Sequence, residues 1–311
     1  VNQPRIVITG VAGFVGSNLA DYLLGKGYQV VGIDNLAYGL KSQVPDGCTF
    51  HEVDIREAGM AEVIEPGDVI FHLAAKNCIA DCQDDPVETA SINVAGSANV
   101  FEAARQKRAA KVIYAESSAL YEGSRVLPTP EEEVHPQSFY AISKAASMAF
   151  AEAYAEFHGV ASTALRYFCV YGPRQDYRRS IPPVMSAFIM RLAEGVAPTI
   201  YGSGGKRRDF IHVDDVNRFH EMCITDDRTT GQVYNLGAGE NYSVRDIYDH
   251  VAALMGKDPP PEHKPDLPGE AEETLADITR ARALGWAPQI GLDEGLQTMI
   301  DYLAKEGLIR L

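Results

Sequence analysis

Apolar and polar positions along this chain fall into alternating blocks of two periods. Arg5-Ile6-Val7-Ile8-Thr9 is a short apolar, β-branched run, the pattern of a strand buried on both faces. From Ser17 to Lys26 the spacing becomes helical through Leu19, Ala20, Leu23 and Leu24, and it stops at Gly25 and Gly27. Gln29–Ile33 predicts a second strand ending at Asp34, Phe50–Asp54 a third and Asp68–Ala75 a fourth. Ile92–Lys107 predicts a long helix, Lys111–Ala115 a fifth strand, the stretch from Tyr140 to His158 a helix, and Ser162–Tyr167 a sixth strand. Strand–helix alternation of this kind predicts an α/β fold with a doubly wound parallel sheet, whose ligands bind outside the strand C-termini. Past Tyr167 the texture changes. Prolines cluster at 182–183 and 259–261, glycines at 202–205, and basic residues at 174, 178, 179 and 206–208. The expected division is a nucleotide-binding domain over 1–166 with return segments near 208–235, and a smaller α/β substrate-binding lobe over 167–207 and 236–311.

Between the first strand and first helix stands Gly10-Val11-Ala12-Gly13-Phe14-Val15-Gly16. Strand, glycine turn and helix is the context of a Rossmann dinucleotide site. Gly10 makes the tight turn, Gly13 lets a pyrophosphate approach the backbone, and Gly16 lets helix pack on strand. The anion then rests on the helix N-terminus. Asp34, at the end of the second strand, falls where a carboxylate accepts hydrogen bonds from an adenosine ribose. It repels a 2′-phosphate, so NAD is expected rather than NADP.

Tyr140 and Lys144 lie four residues apart in Ser138-Phe139-Tyr140-Ala141-Ile142-Ser143-Lys144. On a helix they share a face. A cation there favours the phenolate of a tyrosine whose pKa is otherwise about 10. The fifth strand delivers Ser117 and Ser118 upstream of this pair.

Composition narrows the partners. The 311 residues carry 28 basic and 43 acidic side chains, a net charge of −15, with 46% hydrophobic content. That excludes nucleic acid and anionic membrane surfaces as natural partners. No apolar run approaches the ~20 residues of a membrane span, and no charged-then-apolar leader opens the sequence. Five cysteines (48, 78, 82, 169 and 223) lack metal-type spacing, so no metal is expected. A reducing cytoplasm is the expected setting.

Together these segments resemble the extended short-chain dehydrogenase/reductases, specifically the NAD-dependent nucleotide-sugar epimerase/dehydratase group. The resemblance runs from end to end through Thr9–Ser17, Asp34-Asn35-Leu36, His72-Leu73-Ala74-Ala75, Tyr140–Lys144, Leu165-Arg166-Tyr167-Phe168 and Arg208–Val216. It implies Tyr140 as the acid/base, Lys144 as the ribose-holding cation and Ser117 as the hydrogen-bond donor to the reacting oxygen. Ser118 and Glu122 join them as catalytic candidates. It further implies cofactor contacts from Gly10, Gly13, Phe14, Val15, Gly16, Asp34, Asn35, Asp54, Ile55, Leu73, Ala74, Ala75, Lys76 and Asn93. Sugar-nucleotide contacts are implied for Lys76, Ser117, Cys169, Arg174, Arg179 and Arg208, and a homodimer for the assembly.

Dehydratases resembling this chain carry Asp-Glu directly after the catalytic residue, where this sequence has Ser118 and Ala119. Alanine exchanges no protons. A UDP-hexose or UDP-N-acetylhexosamine 4-epimerase is therefore the expected activity. The alternative is a dehydratase that oxidises C4 and eliminates water across C5–C6. The chain departs from the family at Cys169, where Asn is usual, at Leu267, where a phosphate-gripping Arg is usual, and at Lys76 and Glu122. Arg178 or a neighbouring arginine is the expected substitute for the missing Arg.

Overall fold

A computed structural model describes residues 3–179, 181–266 and 271–310. The Leu267-Pro268-Gly269-Glu270 stretch lies outside the described residues. The chain divides into two compact units: residues 1–125, 131–167 and 217–235, and residues 126–130, 168–216 and 236–311.

The first unit is built on seven strands: β1 (Ile6–Thr9), β2 (Val30–Asp34), β3 (Thr49–Glu52), β4 (Val69–His72), β5 (Lys111–Ser117), β6 (Ser162–Tyr167) and β7 (Val233–Leu236). Their spatial order is β7-β6-β5-β4-β1-β2-β3. Every pairing from β3 across to β6 is parallel. This is the doubly wound sheet that the alternation predicts. β1 and β4 are fully buried, which is why their sequences are continuous apolar runs rather than alternating ones. The strand order reverses between β1 and β4, the switch point at which such sheets bind ligands. β7 closes the sheet beside β6, with the amide of Ala164 donating to the Gln232 carbonyl at 3.0 Å.

Helices cover the sheet. They include α1 (Phe14–Gly25), α2 (Ser97–Lys107) and α3 (Phe139–His158). Phe101 of α2 packs edge-on against Tyr114 of β5, with ring centroids 5.5 Å apart. α3 is delimited as its sequence dictates. The Ser138 hydroxyl accepts from the Ala141 amide at 3.1 Å, and Gly159 closes the helix at φ 67°.

The helix expected from Ile92 is not uniform. Residues Ser91–Gly96 wind as a π-helix before α2 begins. Its surroundings are tightly packed. A Cβ at Gly96 would lie 2.6 Å from Ile55 Cδ1, and the Asn93 carbonyl accepts from the hydroxyls of Ser97 and Ser147 at 2.5 and 2.7 Å. Such bulges serve local geometry at functional sites.

The second unit has its own core, including Tyr171, Phe188, Leu192, Ile247, Tyr248, Leu296 and Ile300. Among the described residues three two-stranded sheets accompany it: Cys169–Tyr171 with Phe210–His212, Arg207–Arg208 with Tyr242–Ser243, and Thr199–Tyr201 with Glu262–Lys264. The buried Asp209 carboxylate accepts backbone amides from Ala238, Gly239 and Ala276 at 2.6, 3.1 and 3.0 Å. One side chain thus gathers two distant loops.

Candidate active site

The glycine segment forms a cradle with no room for side chains. Gly10 sits at φ +76°, and a Cβ there would meet the Ala74 amide nitrogen at 2.8 Å. At Gly16 a Cβ would lie 2.2 Å from the Gly10 carbonyl oxygen. The turn is pinned by the Gly10 amide on the Ile33 carbonyl (2.8 Å) and the Gly13 amide on the Gly10 carbonyl (3.1 Å). Phe14 and Val15 then open α1, whose free amides present partial positive charge. Asp34 closes the far side. Its two carboxylate oxygens accept from the amides of Ala12 (3.0 Å) and Leu36 (2.8 Å). Burial pushes its pKa up, while those two amides pull it back.

A second constellation stands at the end of β5. Lys144 is buried, and its Nζ donates to the Ala115 carbonyl at 2.9 Å. That bond fastens α3 to the strand two residues before Ser117. Tyr140 lies one turn earlier on the same helix and is partly exposed. The Ser117 hydroxyl accepts from the Ala119 amide at 3.1 Å and starts a 3-10 turn over Ser118–Tyr121. Ser117, Tyr140 and Lys144, distant in sequence, are thus carried by one strand end and the helix tied to it. Burial pushes the Lys144 ammonium down to about 8.

A family model described as NAD dependent epimerase/dehydratase family matches residues 6–237. The chain is 34% identical over 310 residues to the UDP-glucose 4-epimerase of Mycolicibacterium smegmatis, covering 96% of this chain and 98% of the relative. The crystal structure of a Thermotoga maritima UDP-glucose 4-epimerase with UDP-glucose is similar at TM-score 0.92 and 33% identity, covering 97% of this chain and 99% of the other. A Thermus thermophilus UDP-glucose 4-epimerase complex with NAD is similar at TM-score 0.88 and 33% identity, covering 96% and 99%. The chain belongs to the NAD dependent epimerase/dehydratase family.

The cofactor of this epimerase/dehydratase family member is NAD, and the cradle fits it. At Gly13 a Cβ would meet, among the described residues, only the Gly10 carbonyl oxygen, at 3.2 Å, so this backbone is left bare for the close approach that a pyrophosphate needs. Around the cradle, several predicted contacts already have work within the protein. Asp54 is gripped by Arg56 (2.6 Å) and receives the Asn35 amide at 2.9 Å. The Arg56 hydrogen bond holds its carboxyl well below the usual range. Ile55 is buried. Asn93 accepts from the Lys76 amide at 2.8 Å and donates to the Lys76 carbonyl and the Ser143 hydroxyl, both at 2.9 Å. It therefore ties the loop after β4, which carries Leu73, Ala74 and Ala75, to α3. The Lys76 ammonium turns to Glu88 at 3.1 Å. His72 bridges Thr9 and Ser97 at 2.8 and 2.9 Å, and burial keeps it neutral by lowering its pKa to about 3.

Glu122 accepts from the amides of Gln137 (3.1 Å) and Ser138 (2.7 Å) and from the Ser138 hydroxyl (2.8 Å). This clamp holds the N-cap of the helix that bears Tyr140. Glu122→Ala is expected to lower stability by about 1–2 kcal/mol, read as a reduced midpoint in urea unfolding at unchanged m-value.

The remaining predicted residues belong to the second unit. The Cys169 amide donates to the Asp209 carbonyl at 3.0 Å. Arg174 adopts the left-handed backbone region at φ 68°. Arg178 and Arg179 both pair with Asp176, at 3.0 and 3.1 Å. Arg208 donates to the Arg207 carbonyl at 2.9 Å. Among the described residues no group of three or more His, Cys, Asp or Glu side chains is arranged to hold a metal ion.

Proposed function

We propose that this protein is a UDP-sugar 4-epimerase acting on a UDP-hexose or UDP-N-acetylhexosamine. The observation that carries the reading is the Lys144–Ala115 bond. It sets the Tyr140–Lys144 face of α3 at the end of β5, where Ser117 is followed by Ser118 and Ala119 and no carboxylate. Bound NAD supplies the hydride acceptor. Tyr140 takes the proton from the sugar C4 hydroxyl, Ser117 hydrogen-bonds the same oxygen, and the Lys144 ammonium favours the phenolate that does so. Epimerisation then needs only that the 4-keto sugar present its other face, take the same hydride back at C4 on that face, and regain its hydroxyl proton from Tyr140. Elimination needs a further acid/base for C5 and C6, which Ser118 and Ala119 do not supply. We assign the sugar nucleotide to Lys76, Ser117, Cys169, Arg174, Arg179 and Arg208, with the arginines as partners of the diphosphate.

Incubation with UDP-glucose, UDP-galactose, UDP-N-acetylglucosamine and UDP-N-acetylgalactosamine in deuterated water, followed by proton NMR, tests this. C4 epimers that interconvert without deuterium incorporation support it. New vinyl or methyl signals, with loss of the C6 hydroxyl, would replace it with the dehydratase reading.

We further propose a homodimer through α3. Phe139, Ile142, Phe150 and Phe157 are exposed along that helix, Phe157 at 73%, with Ala146 and Ala153 between them. A stripe of that kind on a free monomer is costly. Phe150→Asp combined with Phe157→Asp is expected to halve the mass seen by light scattering. The five cysteines are all free thiols, which supports a reducing compartment such as the cytoplasm.

A further inference from the structure

β5 carries a charge where its pattern calls for an apolar residue. Val112, Tyr114 and Glu116 alternate along the strand, and the first two join the core that includes Phe101 and Ala151. The Glu116 side chain is fully buried. Its Oε2 accepts from Arg166 Nε at 2.6 Å, while Oε1 has no hydrogen-bond partner. Arg166 is otherwise occupied. It donates to the Tyr121 hydroxyl at 3.0 Å, to the Glu131 carbonyl, and to Met148 Sδ at 3.2 Å. The Ala115 carbonyl, which takes the Lys144 ammonium, belongs to the peptide joining Ala115 to Glu116. A buried carboxylate paired with Arg166 through one oxygen thus follows directly on the carbonyl that holds the buried Lys144.

We infer that Glu116 is a positioning residue acting through Lys144, its carboxylate being the counter-charge that keeps the ammonium protonated beside Tyr140. The inference rests on the reading of Tyr140 and Lys144 as the acid–base pair. A lysine removed from water loses its proton unless an anion offsets the desolvation. Burial is the main force lowering the Lys144 pKa, and Glu116 is the first charge opposing it. Cys82 and His72 also face Lys144. The groups facing Glu116 are Arg166 from β6, Lys144 from α3 and Tyr114 from its own strand, with Tyr121 and Glu131 beyond the guanidinium. Burial pushes the Glu116 carboxyl up, and Arg166 first, then Lys144, pull it down. A structural ion pair alone would need Arg166 only and would leave the Tyr140–Lys144 titration untouched.

The sign follows from charge. Removing an anion that faces Lys144, one turn along α3 from Tyr140, makes the loss of a proton easier for both, so both limbs of a pH–rate profile move to lower pH. Glu116→Gln keeps an acceptor for Arg166 and deletes only the charge. Its kcat profile for the interconverting 4-epimer pair is expected to shift by about one pH unit on both limbs, with KM within about twofold of wild type. Glu116→Leu with Arg166→Met replaces the pair by apolar volume, which cores tolerate, and decides the matter if the Gln variant does not fold. Its limbs are expected to move in the same direction by a smaller amount, because the Arg166 cation leaves with the anion. Limbs that coincide with wild type in either folded variant overturn the inference. Loss of activity in Tyr140→Phe alongside such unshifted limbs would remove only the Glu116 role. An active Tyr140→Phe would remove the acid–base reading itself.

Discussion

Tyr140→Phe is expected to lower kcat about a thousandfold, the scale of a general acid–base contribution, while the protein stays folded and binds NAD. The substitution deletes one oxygen from a partly exposed side chain. Three contacts that hold the site in place lie elsewhere. Lys144 keeps its bond to the Ala115 carbonyl, Ser138 still caps α3, and Glu122 still grips Ser138. KM should therefore change little, because the phenol contributes to the reaction more than to binding. The measurement is steady-state epimerisation on whichever sugar pair the panel identifies, with circular dichroism to confirm the fold. A loss under tenfold would mean that another group takes the C4 proton.

Gly16→Ala is expected to be the most damaging single methyl in the molecule. Its Cβ would sit 2.2 Å from the Gly10 carbonyl oxygen, 2.8 Å from the Gly10 carbonyl carbon and 2.9 Å from Val11 Cα. All three are backbone atoms, and the backbone is not free to yield. The Gly10 amide is held by Ile33 and the Gly10 carbonyl by Gly13. Overpacking of this kind costs about 3 kcal/mol. Relief must come from moving α1 away from β1, which also opens the cradle. The thermal midpoint should fall, and the upward shift that added NAD gives the wild-type protein should vanish. A variant whose midpoint still rises normally with NAD would show that the cradle does not hold the pyrophosphate.

The middle of the sheet was legible because β1 and β4 are buried on both faces. Ile6–Thr9 and Val69–His72 are continuous apolar runs whose meaning does not depend on their neighbours. The Tyr140–Lys144 pair and the glycine turn were legible for the opposite reason: their chemistry is fixed by short spacing along one helix or one turn. What escaped is what only packing decides. In the tie between Asn93, Lys76 and Ser143, Asn93 bonds to a residue 50 positions away, and nothing local announces it. The π-helical turn at Ser91–Gly96 lies where Ile55 approaches Gly96, a contact between distant segments. Glu122 was read as a catalytic candidate, yet its oxygens hold the start of α3, a role visible only once Gln137 and Ser138 are brought beside it. Glu116 did leave a trace, a lone acid at the inward phase of a strand, but its partner Arg166 stands on the next strand in the sheet.

The position of β7 has a consequence for how the chain is made. Its residues emerge from the ribosome more than sixty positions after β6, and until they arrive β6 presents an open row of unpaired backbone groups. Unprotected edges of this sort invite pairing with other chains. A fragment ending at Tyr167 contains the whole glycine cradle and the Tyr140–Lys144 helix, yet it lacks the strand that shields the sheet. Such a fragment is an aggregation hazard rather than a free-standing nucleotide-binding domain, and during synthesis the nascent sheet depends on a segment that follows most of the second unit's first half.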